Sequence, residues 1–377
     1  MEFIMTAGHF LIGYILPFVI VLSLLVFVHE MGHYLVGRWS GIRALAFSVG
    51  FGPELIGFND RHGTRWKISL IPLGGYVKFF GDADASSRPD GDDMAELTPE
   101  ERAQTLSGAK LWKRAATVAA GPIANFLLAI VIFACLFGFY GKPVSDPVVA
   151  EVKPQSAAER AGVLPGDLLL ALDGEKVSTF DDVRRYVSMR PDLPIDVTLK
   201  RGGETMSLSM VPERTEITDQ FGNKMEVGLI GIVTNQDAGN FRVEQLSPVQ
   251  AVGEGFRQTW NVVTGTYDYL ANLVTGRMNA DQLGGPIRVA QASGQMATLG
   301  IGAVLQLAAV LSVSIGLLNL MPVPVLDGGH LVLYALEALR GKPVGAGAQE
   351  IAFRIGLAMI LSLMVFATWN DISRLIG

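Results

Sequence analysis

The sequence predicts a polytopic α-helical membrane protein, with four transmembrane helices and a soluble module between the second and third. Three observations predict it. Half of the 377 residues are hydrophobic and 18% are charged, against about a quarter charged in soluble domains, and mean hydropathy is positive. Four stretches are apolar over the roughly 20 residues that a helix needs to cross a bilayer. A long segment between them instead alternates short apolar strands with turn glycines.

The first span runs from about His9 to Val36, the second from about Ala115 to Tyr140, the third from about Leu299 to Leu320, and the fourth from about Ile351 to Trp369. The first reads as a retained helix, since it has no basic leader and no small-residue cleavage site. Basic residues set the orientation. Arg38 and Arg43 follow the first span, Lys110, Lys113 and Arg114 precede the second, and Arg340 and Lys342 follow the third. Residues 38–114 and 338–350 are therefore expected in the cytoplasm, with 141–298 and both termini outside. A formal net charge of −6 without a basic stripe argues against a nucleic-acid partner. Cys135 is the single cysteine, which excludes an intrachain disulfide.

Residues 29–33, His-Glu-Met-Gly-His, lie inside the first span. On a helix, histidines four apart share a face and can reach one metal ion. Zinc takes such nitrogen ligands and, in catalytic sites, keeps a place for water. Glu30 adjoins the first ligand, as a general base acting on that water must. Ionisable groups are costly within a membrane and usually functional there. A third ligand has to come from elsewhere. Asp327 follows 38 residues, 289–326, that carry no charged side chain, more than the roughly 20 that a membrane span needs, and Pro322 and Pro324 forbid regular helix before it. Irregular backbone at membrane depth survives only inside protein or along a wet cavity, so this carboxylate calls for a counter-charge. His330 is the rival ligand, though it also reads as a histidine at the start of the next helix. His9 and His62 have no companions at ligand spacing.

The outer segment begins "PVVAEVKPQSAAERAGVLPGDLLLALDGEKVSTFDDVRRYV", strands and turns that enter a helix near Asp181, and continues as a hairpin about Gly202-Gly203. It resembles a PDZ domain over 146–213, which implies capture of an extended peptide or a C-terminus by strand addition. "EVGLIGIVT" reads as a further strand. Val252, Phe256, Trp260, Val263, Tyr267, Leu270 and Val274 then recur at helical spacing, which suits a helix on the membrane surface or packed on the bundle. Thr98 to Glu101 form a capping box with proline at the first helical position. The stretch "TRWKISLIPLGGYVKFF", 64–80, alternates with period two and breaks at Pro72 and Gly74-Gly75, and so reads as a hairpin.

With HEMGH in the first span, LDGG after the third and a PDZ module between the second and third, the chain resembles the site-2 protease family. Within it, the match is to bacterial regulator-of-sigma-E proteases. "VGFGP" at 49–53, "AAGPIANFLLA" at 119–129 and "GGPI" at 284–287 agree, and the resemblance covers nearly the whole chain. It implies an intramembrane zinc endopeptidase of the bacterial inner membrane, holding one Zn2+ per chain. Its expected substrates are single-span membrane proteins, often an anti-sigma factor. The resemblance carries zinc ligation to His29, His33 and Asp327, catalysis to Glu30, and a substrate-holding role to Asn319. It also makes 64–80 a membrane-associated β-hairpin, whose Tyr76, Val77, Lys78 and Phe79 could pair with an unwound substrate. The chain departs from the two-PDZ form in showing one such domain. The expected division is 1–145 and 299–377 as membrane halves, 146–213 as the PDZ domain and 214–298 as a strand-and-helix connector. A non-catalytic adaptor with structural histidines is the alternative, and the complete His/Glu/His plus Asp set argues against it.

Overall fold

A computed structural model of the chain describes residues 11–82, 97–218, 224–234, 241–275 and 284–376; His9 lies outside them. A π-helical turn, Leu11–Ile15, leads into α1, Leu16–Trp39, whose first turn carries proline, where no intrahelical amide is required. Next come β1, Ala44–Asn59, and β2, Arg65–Phe79. The expected capping box of Thr98 and Glu101 starts α2, Pro99–Arg102, and α3 spans Leu111–Tyr140. The module follows as β3 (Lys142–Ser145), β4 (Glu151–Val152), α4 (Ala157–Arg160), β5 (Leu168–Leu172), β6 (Glu175–Lys176) and α5 (Phe180–Ser188). It continues as β7 (Ile195–Arg201), β8 (Glu204–Met210), β9 (Glu213–Thr218), β10 (Lys224–Leu229), β11 (Ile232–Val233) and β12 (Phe241–Glu244). Helices α6 (Pro248–Val274), α7 (Pro286–Thr298), α8 (Ile301–Asn319), α9 (Asp327–Arg340) and α10 (Ala346–Ile376) close the chain.

Among the described residues, four helices are long and apolar enough to cross a membrane, over Gly13–Trp39, Leu111–Tyr140, Ile301–Asn319 and Gly347–Arg374. They match the four expected spans. The chain forms two compact units. One comprises Met1–Ala134, Glu254–Val263 and Leu283–Gly377, and contains HExxH and LDGG; the other comprises Cys135–Gly253 and Thr264–Gln282.

In the first unit, the reading of 64–80 as a self-contained hairpin needs correction. β2 does break near Pro72 to Gly75, but its halves do not pair with each other. β1 and β2 pair antiparallel, and both bend. Residues Ala46 to Val49 are flanked by Gly75 to Lys78 on one side and by Arg65 to Ile68 on the other; Glu54 to Asn59 cover the far side of Arg65 to Ser69. The bend in β1 falls at Gly50 and Gly52, whose φ values of +92° and +87° glycine adopts without steric cost. The hairpin therefore spans 44–79, and the segment 75–79 lies at one edge of the folded sheet. Its inner residues Phe47, Val77 and Phe79 pack with Tyr34 of α1 and with Ile42 and Leu106. At the other end Leu55, Ile56, Phe58, Ile68 and Leu70 stay exposed, an apolar surface fit for lipid.

The turn between the strands is pinned. Asp60 accepts hydrogen bonds from Tyr34 Oη (3.0 Å), Trp66 Nε1 (3.0 Å) and the amides of His62 (2.8 Å) and Thr64 (2.9 Å). Burial works against its ionisation, but these bonds outweigh it and bring the Asp60 pKa down to about 2.

In the second unit, four strands run in the order β6-β5-β7-β8, with β7 and β8 joined through Gly202-Gly203 as expected. The core gathers Leu169, Leu172, Val183, Ile195, Val197 and Leu199 from the sheet and α5. This is the PDZ arrangement that the sequence predicted. Ile230 belongs to the same core and β11 pairs with β4, so the module runs past 213 to Val233. β3 pairs with β12 as a two-stranded base. Val252, Phe256, Trp260 and Tyr267 of α6 are exposed, as a surface stripe requires.

Candidate metal centre and active site

His29 and His33 stand one turn apart on α1 and project from one face. Asp327 opens α9 after a loop that cannot be helical, because Pro322 and Pro324 lack the needed amides. Val325 in that loop has φ +103°, a strained value for a β-branched residue that costs about 1–3 kcal/mol. The loop nonetheless delivers Asp327 to the two histidines. His29 Nε2 lies 3.1 Å from His33 Nε2 and 3.2 Å from Asp327 Oδ2, and His33 Nε2 lies 3.5 Å from Asp327 Oδ1. Four tetrahedral ligands held about 2.0–2.2 Å from zinc stand roughly 3.3–3.5 Å from one another. The three separations lie within about 0.2 Å of that spacing.

A second observation fits a metal. Asp327 Oδ2 is buried and makes no aligned hydrogen bond, despite its closeness to His29. An orphaned carboxylate oxygen facing two converging imidazole nitrogens is costly in protein alone and satisfied by a cation. Two imidazoles and a carboxylate are also a catalytic zinc set, leaving a fourth place for water.

Helix α3 backs the two imidazoles. His33 Nδ1 donates to the Thr117 carbonyl at 2.9 Å, and the Asn125 amide lies 3.2 Å from His29 Nδ1. Between them, a Cβ at Gly121 would overlap both histidine rings, so only glycine allows this approach. Pro122 breaks the regular hydrogen bonding of α3 at the same level.

A cavity of about 460 Å³ opens on the cluster. Glu30, Asn319, Tyr76, Val77 and Phe79 line it with the three ligand-type residues, as does His330. Lys78 does not line it, and His330 stands outside the ligand-spaced group. A Cβ at Gly75 would lie 3.2 Å from Glu30 Cγ, so the edge of the sheet packs directly against Glu30 of α1. Sequence reasoning singled out His29, Glu30, His33 and Asp327, which the structure brings to one cavity, and missed the placement of Thr117, Gly121 and Asn125 beside the histidines. The signal for the last was an amide in an apolar span.

Fold and site together define a membrane zinc metalloprotease that carries a PDZ domain. The chain belongs to peptidase family M50, whose model matches residues 17–363. A relative in Agrobacterium fabrum, named as a proposed zinc metalloprotease, is 74% identical over all of both chains. Metalloprotease MmpA of Caulobacter vibrioides is 38% identical over 97% of each. Among solved structures, the PDZ domain of an SdrC-like protein from Listeria innocua is similar to 23% of this chain and 91% of its own, at 26% identity and TM-score 0.19.

Proposed function

We propose that this metalloprotease cleaves peptide bonds inside the membrane, within the transmembrane segment of single-span proteins of the bacterial inner membrane, an anti-sigma factor being the expected substrate. One observation carries the reading. The ligand-type cluster lies mid-helix in the first span: His29 is ten residues from Trp39, about 15 Å at 1.5 Å per residue. A site at that depth serves a substrate that is itself in the bilayer.

In this reading His29, His33 and Asp327 hold the zinc. When bound, the ion would supply Lewis acidity for activating a water and the scissile carbonyl. Glu30 takes the water's proton and returns one to the leaving amine. Glu30 lines the cavity beside the sheet edge, where Gly75 leaves room for its side chain. The edge segment Tyr76 to Phe79 and Asn319 hold the substrate extended, because a helical span hides its carbonyls in i→i−4 hydrogen bonds. Unwinding exposes polar groups at several kcal/mol each unless they are paired. The PDZ groove binds a peptide or C-terminus on the outer side.

The test is co-expression of wild type or Glu30→Gln with candidate single-span proteins. Fragments should accumulate with wild type only, and glycine, proline or asparagine near the cut should raise their yield. A span of leucines cut as fast as one containing glycine would remove unwinding from the mechanism.

A further inference from the structure

Helix α3 presents Thr117, Gly121 and Asn125 at intervals of four, so they form one stripe, and it faces the histidine pair. The two ends of the stripe treat their histidines differently. The Thr117 carbonyl can only accept, so His33 carries its proton on Nδ1 and leaves Nε2 as a lone pair facing Asp327. Asn125 can do either. It is fully buried, with Nδ2 placed 3.2 Å from His29 Nδ1, while Oδ1 has no hydrogen-bond partner. The two ends of a side-chain amide have nearly the same shape and are interchanged by a half-turn. That turn gives Oδ1 a donor, the Nδ1–H of His29. It also puts the His29 lone pair on Nε2, the atom 3.1 Å from His33 Nε2 and 3.2 Å from Asp327.

We infer that Asn125 is a positioning residue for the metal centre: its amide oxygen accepts from His29 Nδ1–H and fixes the tautomer and ring angle that aim Nε2 at the ion. This rests on the ligand assignment proposed above. The backbone of Asn125 is itself held, since Ser312 Oγ on α8 donates to its carbonyl at 2.8 Å, so the amide starts from a fixed point. Outer partners of this kind set ligand basicity and orientation, and their loss typically costs 10- to 100-fold in metal affinity.

The experiment compares purified full-length wild type, Asn125→Leu, Asn125→Asp and His29→Ala in detergent. Zinc retention is read against graded chelator, the visible spectrum after cobalt substitution, and the unfolding temperature without metal. Leucine keeps the branched skeleton, with two methyls in place of the amide ends, and removes the acceptor; aspartate keeps an acceptor and cannot donate. Asn125→Leu should bind zinc about 10- to 100-fold more weakly, with an altered cobalt spectrum and an unchanged metal-free unfolding temperature. Asn125→Asp should hold zinc at least as tightly as wild type. Wild-type zinc affinity in a folded Asn125→Leu overturns the inference. If leucine prevents folding, Asn125→Asp decides: retained zinc supports it and lost zinc overturns it. Undiminished zinc in His29→Ala would remove the ligand assignment itself. Loss there with retention in Asn125→Leu removes the role of Asn125 alone.

Discussion

In the proposed mechanism Glu30 and the two histidines beside it carry different tasks, and substitution should separate them. Glu30→Gln should abolish cleavage while zinc content stays near one per chain, because the general base is not a ligand. His29→Ala, His33→Ala and Asp327→Asn should each lower zinc content, measured by metal analysis of the purified variants. Full occupancy in Asp327→Asn would move the third ligand to His330, which lines the same cavity. These residues were legible in the sequence because a charge in an apolar span is costly enough to need a reason. Asn125 was less legible because a neutral amide costs less to bury, so its presence in AAGPIAN signals less. Thr117 was invisible, since it acts through a backbone carbonyl that every residue has. The strained φ of Val325 could not be read either, because it is imposed by the loop around it.

Helices with strong periodicity or long apolar runs were read correctly; elements defined by distant partners were not. The break in β2 was visible, but the strand that fills the space between its halves comes from 46–49. Helix α7 was passed over as connector. Its start is fixed by Asp371, whose carboxylate accepts from the amides of Gly285 (2.9 Å), Ile287 (3.0 Å) and Arg288 (3.1 Å). No local pattern shows a cap supplied from α10. The L-P-G-D turn of the PDZ module was legible as a motif, and the structure gives its physical content. Arg201 donates to both oxygens of buried Asp167, each at 2.7 Å, and the Leu164 amide adds a third bond at 2.9 Å. The Arg201 guanidinium holds the Asp167 carboxyl below its ordinary value. A carboxyl lowered on folding stabilises fully above its unfolded pKa of about 3.9, and that contribution is lost as pH falls through the folded value. Hydrogen exchange of the Val197–Arg201 amides in the intact protein, corrected for intrinsic rate, should therefore rise below about pH 4. In Asp167→Asn those amides should already exchange faster at pH 7 and gain less in acid; an unchanged acid response in that variant would refute the assignment.

At the scale of the whole molecule, the proposed orientation and the role of the module are both open to direct test. Cysteine labelling reads the orientation, provided that the probes avoid working residues. Asp60 pins the hairpin turn, Asp173 bonds Tyr186 and the Asp196 amide, and Gly341 sits at φ +68°. His62, Lys176 and Lys342 are exposed neighbours. With Cys135 replaced, cysteines at His62 and Lys342 should be shielded from an impermeant thiol reagent in intact cells, and one at Lys176 labelled. Labelling at His62 would invert the orientation. The module lies within the second unit and has its own core, and its chain enters and leaves through the paired strands β3 and β12. All residues of the His-Glu-His-Asp set lie in the other unit. Chemistry should therefore survive removal of the module, and selection should not. A cut at 213 would leave Ile230 and β11 stripped of their partners, so excision should run from 146 to 240, with a short linker joining β3 to β12. That variant should keep its zinc, cleave a substrate already shortened outside the membrane, and accept longer substrates that wild type refuses. Fragment yield from short and long versions of one single-span protein measures both effects. A folded, zinc-loaded variant that cuts neither version would show that the module takes part in catalysis.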